Sequence, residues 1–267
     1  MNNKIKLCII SIKTVGFKSF ITKLFKKIFR LGMYRPMKNL EKLESLFYKK
    51  HGLEIGGPSS IFKKGRFIPI YNILGSLDGV NFSKNTTWSN SDKTDDNFYI
   101  NKNTKTGKLY VTDATNLQII KNKVYDFVLS SNNIEHIANP MKAVEEWLSV
   151  LKDKGALVIV APKKESNFDN KRKIVTFEHL LDDYNKKIQE DDLSHLNEIF
   201  DLHDLKMDLA AGNIEEFKKR SMNNFKNRCL HQHVFDLNIL QKIYKYFNLS
   251  ILKTAETDDD YIIIGQK

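Results

Sequence analysis

Residues 51–60 read His-Gly-Leu-Glu-Ile-Gly-Gly-Pro-Ser-Ser: a short apolar strand bearing one acidic residue, two glycines, then a proline. No other stretch limits the fold as much. Glycine lets the backbone turn sharply and lets a ligand approach the main chain. Pro58 suits the first turn of a helix, where its missing N–H has no intrahelical partner. A strand–glycine–helix turn of this kind anchors one edge of an open α/β sheet. Taken alone it is equally an ordinary loop, so the elements that follow it decide.

Those elements have an α/β rhythm. Leu109 to Thr112 reads as a strand ending at Asp113 and Ala114, and Tyr125 to Ser130 as another. A helix is expected over residues 139–152, with Asn139 as N-cap, Pro140 at its first position and Val144, Trp147, Leu148 and Leu151 on one face. Gly155 closes it before Ala156 to Val160, an unbroken apolar run of the kind seen when both faces of a parallel sheet are covered. Upstream, Leu40, Leu43, Leu46 and Phe47 give residues 37–50 helical spacing, and Phe67 to Tyr71 and Gly79 to Ser83 are candidate strands. Residues 85–96 are loop-like, with Trp88 as a packing anchor or a ligand contact. Downstream, helices are expected from Thr176, over 193–205 and over 214–225, forming a helical insertion over the sheet's carboxyl edge. Asp236 then caps a helix to Phe247, and Leu249 to Leu252 and Tyr261 to Ile264 close the chain as an antiparallel pair. Strand, strand, helix and strand at this pitch predict a doubly wound sheet.

Charge divides the 267 residues unevenly. Residues 1–38 hold 10 of the 43 Lys and Arg and none of the 32 Asp and Glu, so the net +11 belongs almost wholly to this arm. The body therefore lacks the cationic surface that nucleic-acid binding needs, and no nucleic-acid partner is expected. In the arm, Phe17, Phe20, Ile21, Leu24, Phe25, Ile28 and Phe29 share a helical face ringed by Lys18, Lys23, Lys26, Lys27 and Arg30. Two readings stand: peripheral membrane contact through residues 13–31, or a helix packed on the body. No apolar run approaches the roughly 20 residues that span a bilayer. Two distant cysteines, Cys8 and Cys229, give neither a disulfide framework nor metal spacing, and a cytoplasmic setting fits, including the inner face of the membrane. The expected organisation is an arm over 1–36 and a domain over 37–267, with 163–235 as the acceptor-binding insertion.

Leu53, Glu54, Ile55, Gly56 and Gly57, then Asp113 to Leu117, then Tyr125 to Ser131 with Ile134, Glu135 and His136, resemble a class I S-adenosylmethionine-dependent methyltransferase. The Asn139–Pro140 helix start, Leu151 to Gly155 and Val158 to Pro162 extend the likeness. Phe168 to Arg172, Thr176 to Tyr184 and His231 to Phe235 are similar to a bacterial branch found with glycosyltransferases in surface-polysaccharide biosynthesis. The resemblance implies a Rossmann-like, mostly parallel sheet with an antiparallel final strand, S-adenosylmethionine as cofactor, and a small-molecule or glycan acceptor. By the same resemblance Glu54, Gly56 and Gly57 line the methionine moiety, Asp113 accepts from the adenine amino group beside Ala114, and Ser131 and Asn132 border the sulfonium. Where the family has an acidic ribose ligand this chain has Asn81, with Asp78 three residues earlier. Asn132 stands where the family often has His.

A hydroxyl acceptor must lose its proton, which calls for a base. His136, after the fourth core strand, is the first candidate; a structural hydrogen-bonding role fits it equally. Arg172, His179 and His231 are candidates for the acceptor pocket, and His179 and His231 are further candidate bases. Glu135 orients a neighbour or caps the following helix. His231 and His233 share a face in an extended segment and, with His203 and Asp204, could hold a divalent metal; packing is the simpler account, and no metal is assigned. Two other classes compete. A catalytically silent scaffold or partner subunit on this fold is suggested by Asn81 and Asn132. A nicotinamide-dependent oxidoreductase is disfavoured, because the turn lacks G-x-G-x-x-G spacing. The sequence leaves the oligomeric state open.

Overall fold

The computed structural model describes residues 35–84, 96–101 and 104–267. The arm, Trp88 and the loop around it lie outside the described residues. Eight strands form one sheet: β1 (His51–Ile55), β2 (Ser76–Asn81), β3 (Asn97–Asn101), β4 (Thr104–Val111), β5 (Tyr125–Ser131), β6 (Leu151–Pro162), β7 (Ser250–Glu256) and β8 (Asp260–Gln266). Their order is β3-β4-β2-β1-β5-β6-β8-β7. β4, β2, β1, β5 and β6 run parallel, while the final strand β8 is antiparallel to both β6 and β7. β3, which the polar sequence around it concealed, adds an antiparallel outer edge. Because the order reverses on either side of β1, ligands are expected at the carboxyl ends of β1 and its neighbour β5.

One face of the sheet carries α1 (Pro140–Val150), α2 (Phe177–Lys186) and α6 (Leu237–Tyr246). α1 begins as its sequence predicts: Asn139 Oδ1 accepts from Lys142 N, and Pro140 takes the first position. Trp147 is fully buried from α1, and its indole N–H donates to Ala114 O at 3.1 Å. Glu146 accepts from Leu117 N at 2.8 Å, so α1 brackets the loop after β4 from both sides.

The other face differs from expectation. Residues 37–50 hold a 3-10 turn, Leu40–Leu46, and no α-helix follows Pro58; Ser60–Phe62 is a single 3-10 turn. Phe67 to Tyr71 forms no strand, yet Ile68, Ile70 and Tyr71 are buried against Leu77, Phe127 and Leu129. Gly57, Pro58, Gly65, Pro69 and Gly75 interrupt regular hydrogen bonding here, so an irregular, apolar wrap takes the place of a helix.

Beyond Pro162 the insertion contains α2, α3 (Leu196–Leu202), α4 (Ile214–Met222) and α5 (Asn224–Asn227). Thr176 caps α2, Asn213 caps α4 with a reciprocal Glu216 bond, and Asp236 caps α6. No helix of the described residues is long and apolar enough to cross a membrane.

Candidate active site

The carboxyl end of β1 is built around a buried carboxylate. Glu54 Oε1 accepts from Ser59 N at 2.9 Å and Oε2 accepts from the Tyr71 hydroxyl at 2.6 Å, while Ser59 N also donates to that hydroxyl. Burial pushes Glu54 up to about 6 despite these bonds. Its oxygens are thus turned into the loop, and Glu54 shapes the turn. A Cβ on Gly57 would lie 2.2 Å from the Glu54 carboxyl carbon. Gly56 has φ +75°, and a Cβ there would meet the Asn133 amide at 2.5 Å. Only glycine fits at these two positions, next to the ends of β1 and β5, because the Glu54 and Asn133 side chains fill the space a Cβ would take.

Of the other predicted cofactor residues, Asn81 ends β2, Ser131 ends β5 and Asn132 follows it. Asn132 has φ 48°, a left-handed conformation that asparagine tolerates. Its side chain bonds Asp260 on β8. Asp78 does not reach the edge. Its carboxylate accepts from Tyr125 Oη at 2.8 Å and Lys108 N at 2.7 Å and meets His51 Nε2 at 3.2 Å. Burial opposes its ionisation, but these three bonds outweigh it and hold Asp78 below the usual carboxylate range. Asp78 ties β1, β2, β4 and β5 together inside the sheet, where a cofactor ribose does not reach.

Asp113 does stand at the edge, after β4 and beside Ala114. Its Oδ1 accepts from Thr115 N and Oγ1, and its Oδ2 pairs with Arg228 Nη2 at 2.9 Å. Arg228 comes from the end of the insertion, pairs its other terminal nitrogen with Glu190, and lies 5.5 Å from the Phe82 ring and 5.4 Å from the Phe225 ring. Burial and the nearby charge of Asp113 push Glu190 up to about 7. The guanidinium thus straps the insertion across the mouth between β2 and β4. Sequence spacing offered no signal for Arg228, Glu190 or Tyr71, which meet their partners only through the fold.

The predicted histidines divide into two clusters. His136 packs edge-on to His231 at 4.5 Å between ring centroids, and Glu135 joins them, one ligand-type atom of each lying within 4.8 Å of the others. His136 Nδ1 donates to Leu230 O at 2.9 Å, since a carbonyl only accepts, and Nε2 keeps the lone pair. Burial and the charge of His231 push His136 down to about 3. His231 Nδ1 meets Asp169 Oδ2 at 2.5 Å; burial opposes its charge, but Asp169 outweighs burial and raises it above its ordinary value. Burial pushes Glu135 up to about 7, and Asn139, not Glu135, caps α1. His179 belongs to the second cluster, with Asp183, His195 and His233. Arg172 is a structural residue and not part of an open pocket: fully buried, it donates to Asp169, to the carbonyls of His231 and Gln232, and to Glu198. The metal set of His203, Asp204, His231 and His233 does not assemble, because His203 pairs with Asp208 and residues 231–233 are not a strand whose alternate side chains share a face.

Residues 67–159 match the family model described as a methyltransferase domain, a span running from the wrap before β2 to β6. The fold is that of a class I methyltransferase. Solved structures of similar shape include an S-adenosylmethionine-dependent methyltransferase from Aquifex aeolicus (13% identity, 85% of this chain and 89% of that chain, TM-score 0.43). Another, from Thermotoga maritima, is described as a possible histamine N-methyltransferase (16% identity, 94% and 98%, TM-score 0.44). No curated protein matches the chain. Strand order and the matched domain carry the assignment; such low identities say nothing of the acceptor. The cofactor of a class I methyltransferase is S-adenosylmethionine, and the turn at Gly56 and Gly57 follows β1 at the carboxyl edge of the sheet, where the fold places such a ligand.

Proposed function

We propose that this chain transfers the methyl group of S-adenosylmethionine to a hydroxyl of a sugar or of its phosphoryl-type decoration, in the assembly of a bacterial surface polysaccharide. The observation that carries the reading is the juxtaposition, at one sheet edge, of the glycine turn, Asp113 and a buried Glu135–His136–His231 cluster beneath a helical insertion. Gly56 and Gly57 would take the methionine end, Asn81 the ribose side and Asp113 the adenine amino group, with Ala114, Ser131 and Asn132 along the wall. The cofactor supplies an electrophilic methyl on a positively charged sulfur. Positioning an acceptor in line with it lowers such a barrier by on the order of 7–11 kcal/mol. His231, oriented by Asp169, is suited to take the acceptor's proton; His136, held neutral, keeps a lone pair beside it. The insertion, rich in His, Asp and Arg, suits a charged and hydroxyl-bearing acceptor.

The arm's residues 13–31 are assigned to the inner face of the membrane, near lipid-linked glycan intermediates. Each basic residue near an anionic surface contributes about 1 kcal/mol. Salt-sensitive co-pelleting with anionic liposomes, abolished by deleting residues 1–35, is the expected result; no pelleting by the intact chain would reject it. For the activity itself, calorimetric titration with S-adenosylmethionine should show one site. A screen of nucleotide-linked and lipid-linked sugars, read by mass spectrometry, should then reveal a product one methyl heavier. Cofactor binding with transfer only to nitrogen acceptors would overturn the hydroxyl assignment. No cofactor binding would leave a silent scaffold.

A further inference from the structure

Four ligating side chains from three separated segments converge inside the insertion. His179 and Asp183 stand one turn apart on α2, His195 directly precedes α3, and His233 lies in the irregular stretch leading to α6. Asp183 Oδ2 is 3.1 Å from His233 Nε2 and 3.3 Å from His179 Nε2, and His179 Nε2 is 3.2 Å from His195 Nε2. One donor atom of each residue falls within 4.8 Å of all the others. Around a tetrahedral zinc ion with bonds of about 2.0–2.1 Å, neighbouring donors sit about 3.3 Å apart. The three rings meet at centroid distances of 5.1 to 5.5 Å, directing their edges at a common point.

The surroundings are those of a ligating set. His195 Nδ1 faces Glu198 at 3.7 Å, and Glu198 is held in turn by Arg172 at 3.3 Å. At 3.7 Å this is an ion-pair contact and not a hydrogen bond, and it sets a carboxylate beside the ring nitrogen that His195 does not turn to His179. His233 is buried, while His179 is about one-third exposed and leaves a path for an ion to enter.

We propose that His179, Asp183, His195 and His233 form a divalent transition-metal site, with zinc the best match to three imidazoles and one carboxylate. The ion fastens α2, the segment before α3 and the segment before α6 to one point. Asn139 Nδ2 donates to Asp183 O at 3.0 Å, so that point rests on the turn that starts α1. The site is separate from the Glu135–His136–His231 cluster, and its existence does not depend on methyl transfer.

The test uses the full chain without an affinity tag, stripped with chelator and titrated with Zn²⁺ and with Co²⁺. One equivalent of metal per chain is expected, with the strong visible bands of four-coordinate Co²⁺ and a rise in melting temperature on adding Zn²⁺. His179→Ala, on the open side of the cluster, should keep the apo melting temperature and weaken binding at least about 100-fold, beyond the 10–100-fold typical of an outer-shell change. His195→Gln should do the same. Failure of the intact chain to hold stoichiometric metal overturns the proposal. So does undiminished binding by the folded His179→Ala/His195→Gln double variant.

Discussion

Asp113 and Arg228 hold each other at 2.9 Å although 115 positions separate them in the chain. A guanidinium is flat and presents N–H donors, as an adenine edge does, so the same carboxylate serves either partner and the two compete. Arg228→Ala should therefore tighten S-adenosylmethionine binding, by about 5–30-fold if the partly buried pair contributes about 1–2 kcal/mol. Asp113→Ala should weaken it by about 10–150-fold, the equivalent of a lost charged hydrogen bond of about 1.5–3 kcal/mol. Calorimetry on both variants checks the pair: unchanged affinity in Asp113→Ala removes the adenine role, and weaker binding in Arg228→Ala makes the arginine a ligand. Asp169 acts one step further back, by charging His231. Asp169→Asn should let His231 lose its proton at lower pH, because the charge that holds it protonated is removed. The rising limb of kcat/KM, which for the native chain should lie above pH 6.5, should move down with it while cofactor affinity stays unchanged. A limb that does not move would relieve His231 of the proton-accepting role.

Among the elements, those with strong periodicity or capping were legible before the structure. The Asn139–Pro140 start of α1, the apolar core of β6 and the closing pair β7 and β8 fall where their residues predict. In contrast, α1 ends at Val150 and β6 already begins at Leu151, so Leu151 and Gly155 belong to the strand and not to the helix and its closure. The wrap over residues 56–75 was not legible, because its apolar residues satisfy a helix, a strand or an irregular cover equally well and only the prolines and glycines argue against regularity. Asp78 was misplaced for a related reason: distance along a strand does not say which carboxylate reaches the edge and which is captured by neighbouring strands. The second histidine cluster escaped notice because α2, the stretch before α3 and the stretch before α6 meet only after the insertion has folded back. Trp147 makes the bracket on the loop after β4 testable. Trp147→Phe removes the 3.1 Å bond to Ala114 O while keeping most of the buried area, and should cost about 0.5–1.5 kcal/mol in urea unfolding. Cofactor affinity should fall as well, because the released loop carries Asp113. Full affinity in a destabilised variant would show that the loop holds Asp113 unaided.

Taken whole, the molecule keeps a group of buried carboxyls at its functional edge, and two of them, Glu135 and Glu54, contribute to its response to pH. Glu135 releases its proton near pH 4.5 in the unfolded chain and at about 7 in the folded one. Its contribution to stability is thus fully present below pH 4.5 and lost as pH rises to about 7, a loss of about 3 kcal/mol at roughly 1.4 kcal/mol per unit. Glu54, raised to about 6, adds about 2 kcal/mol in the same direction between pH 4.5 and 6. Urea unfolding at pH 5 and pH 8 should find Glu135→Gln losing about 2.5 kcal/mol less than the native chain over that interval. Equal losses would mean that another group carries the dependence. The route of the chain has a different kind of consequence. It leaves the sheet at Pro162, at the end of β6, and returns to it through the helix that Asp236 caps, and β8 lies directly against β6. A segment bounded in this way can be lengthened, shortened or exchanged over evolutionary time without altering a single strand pairing. One sheet can thus be handed from lineage to lineage while the chemistry it is offered changes, and grafting residues 163–235 between relatives is the laboratory version of that inheritance.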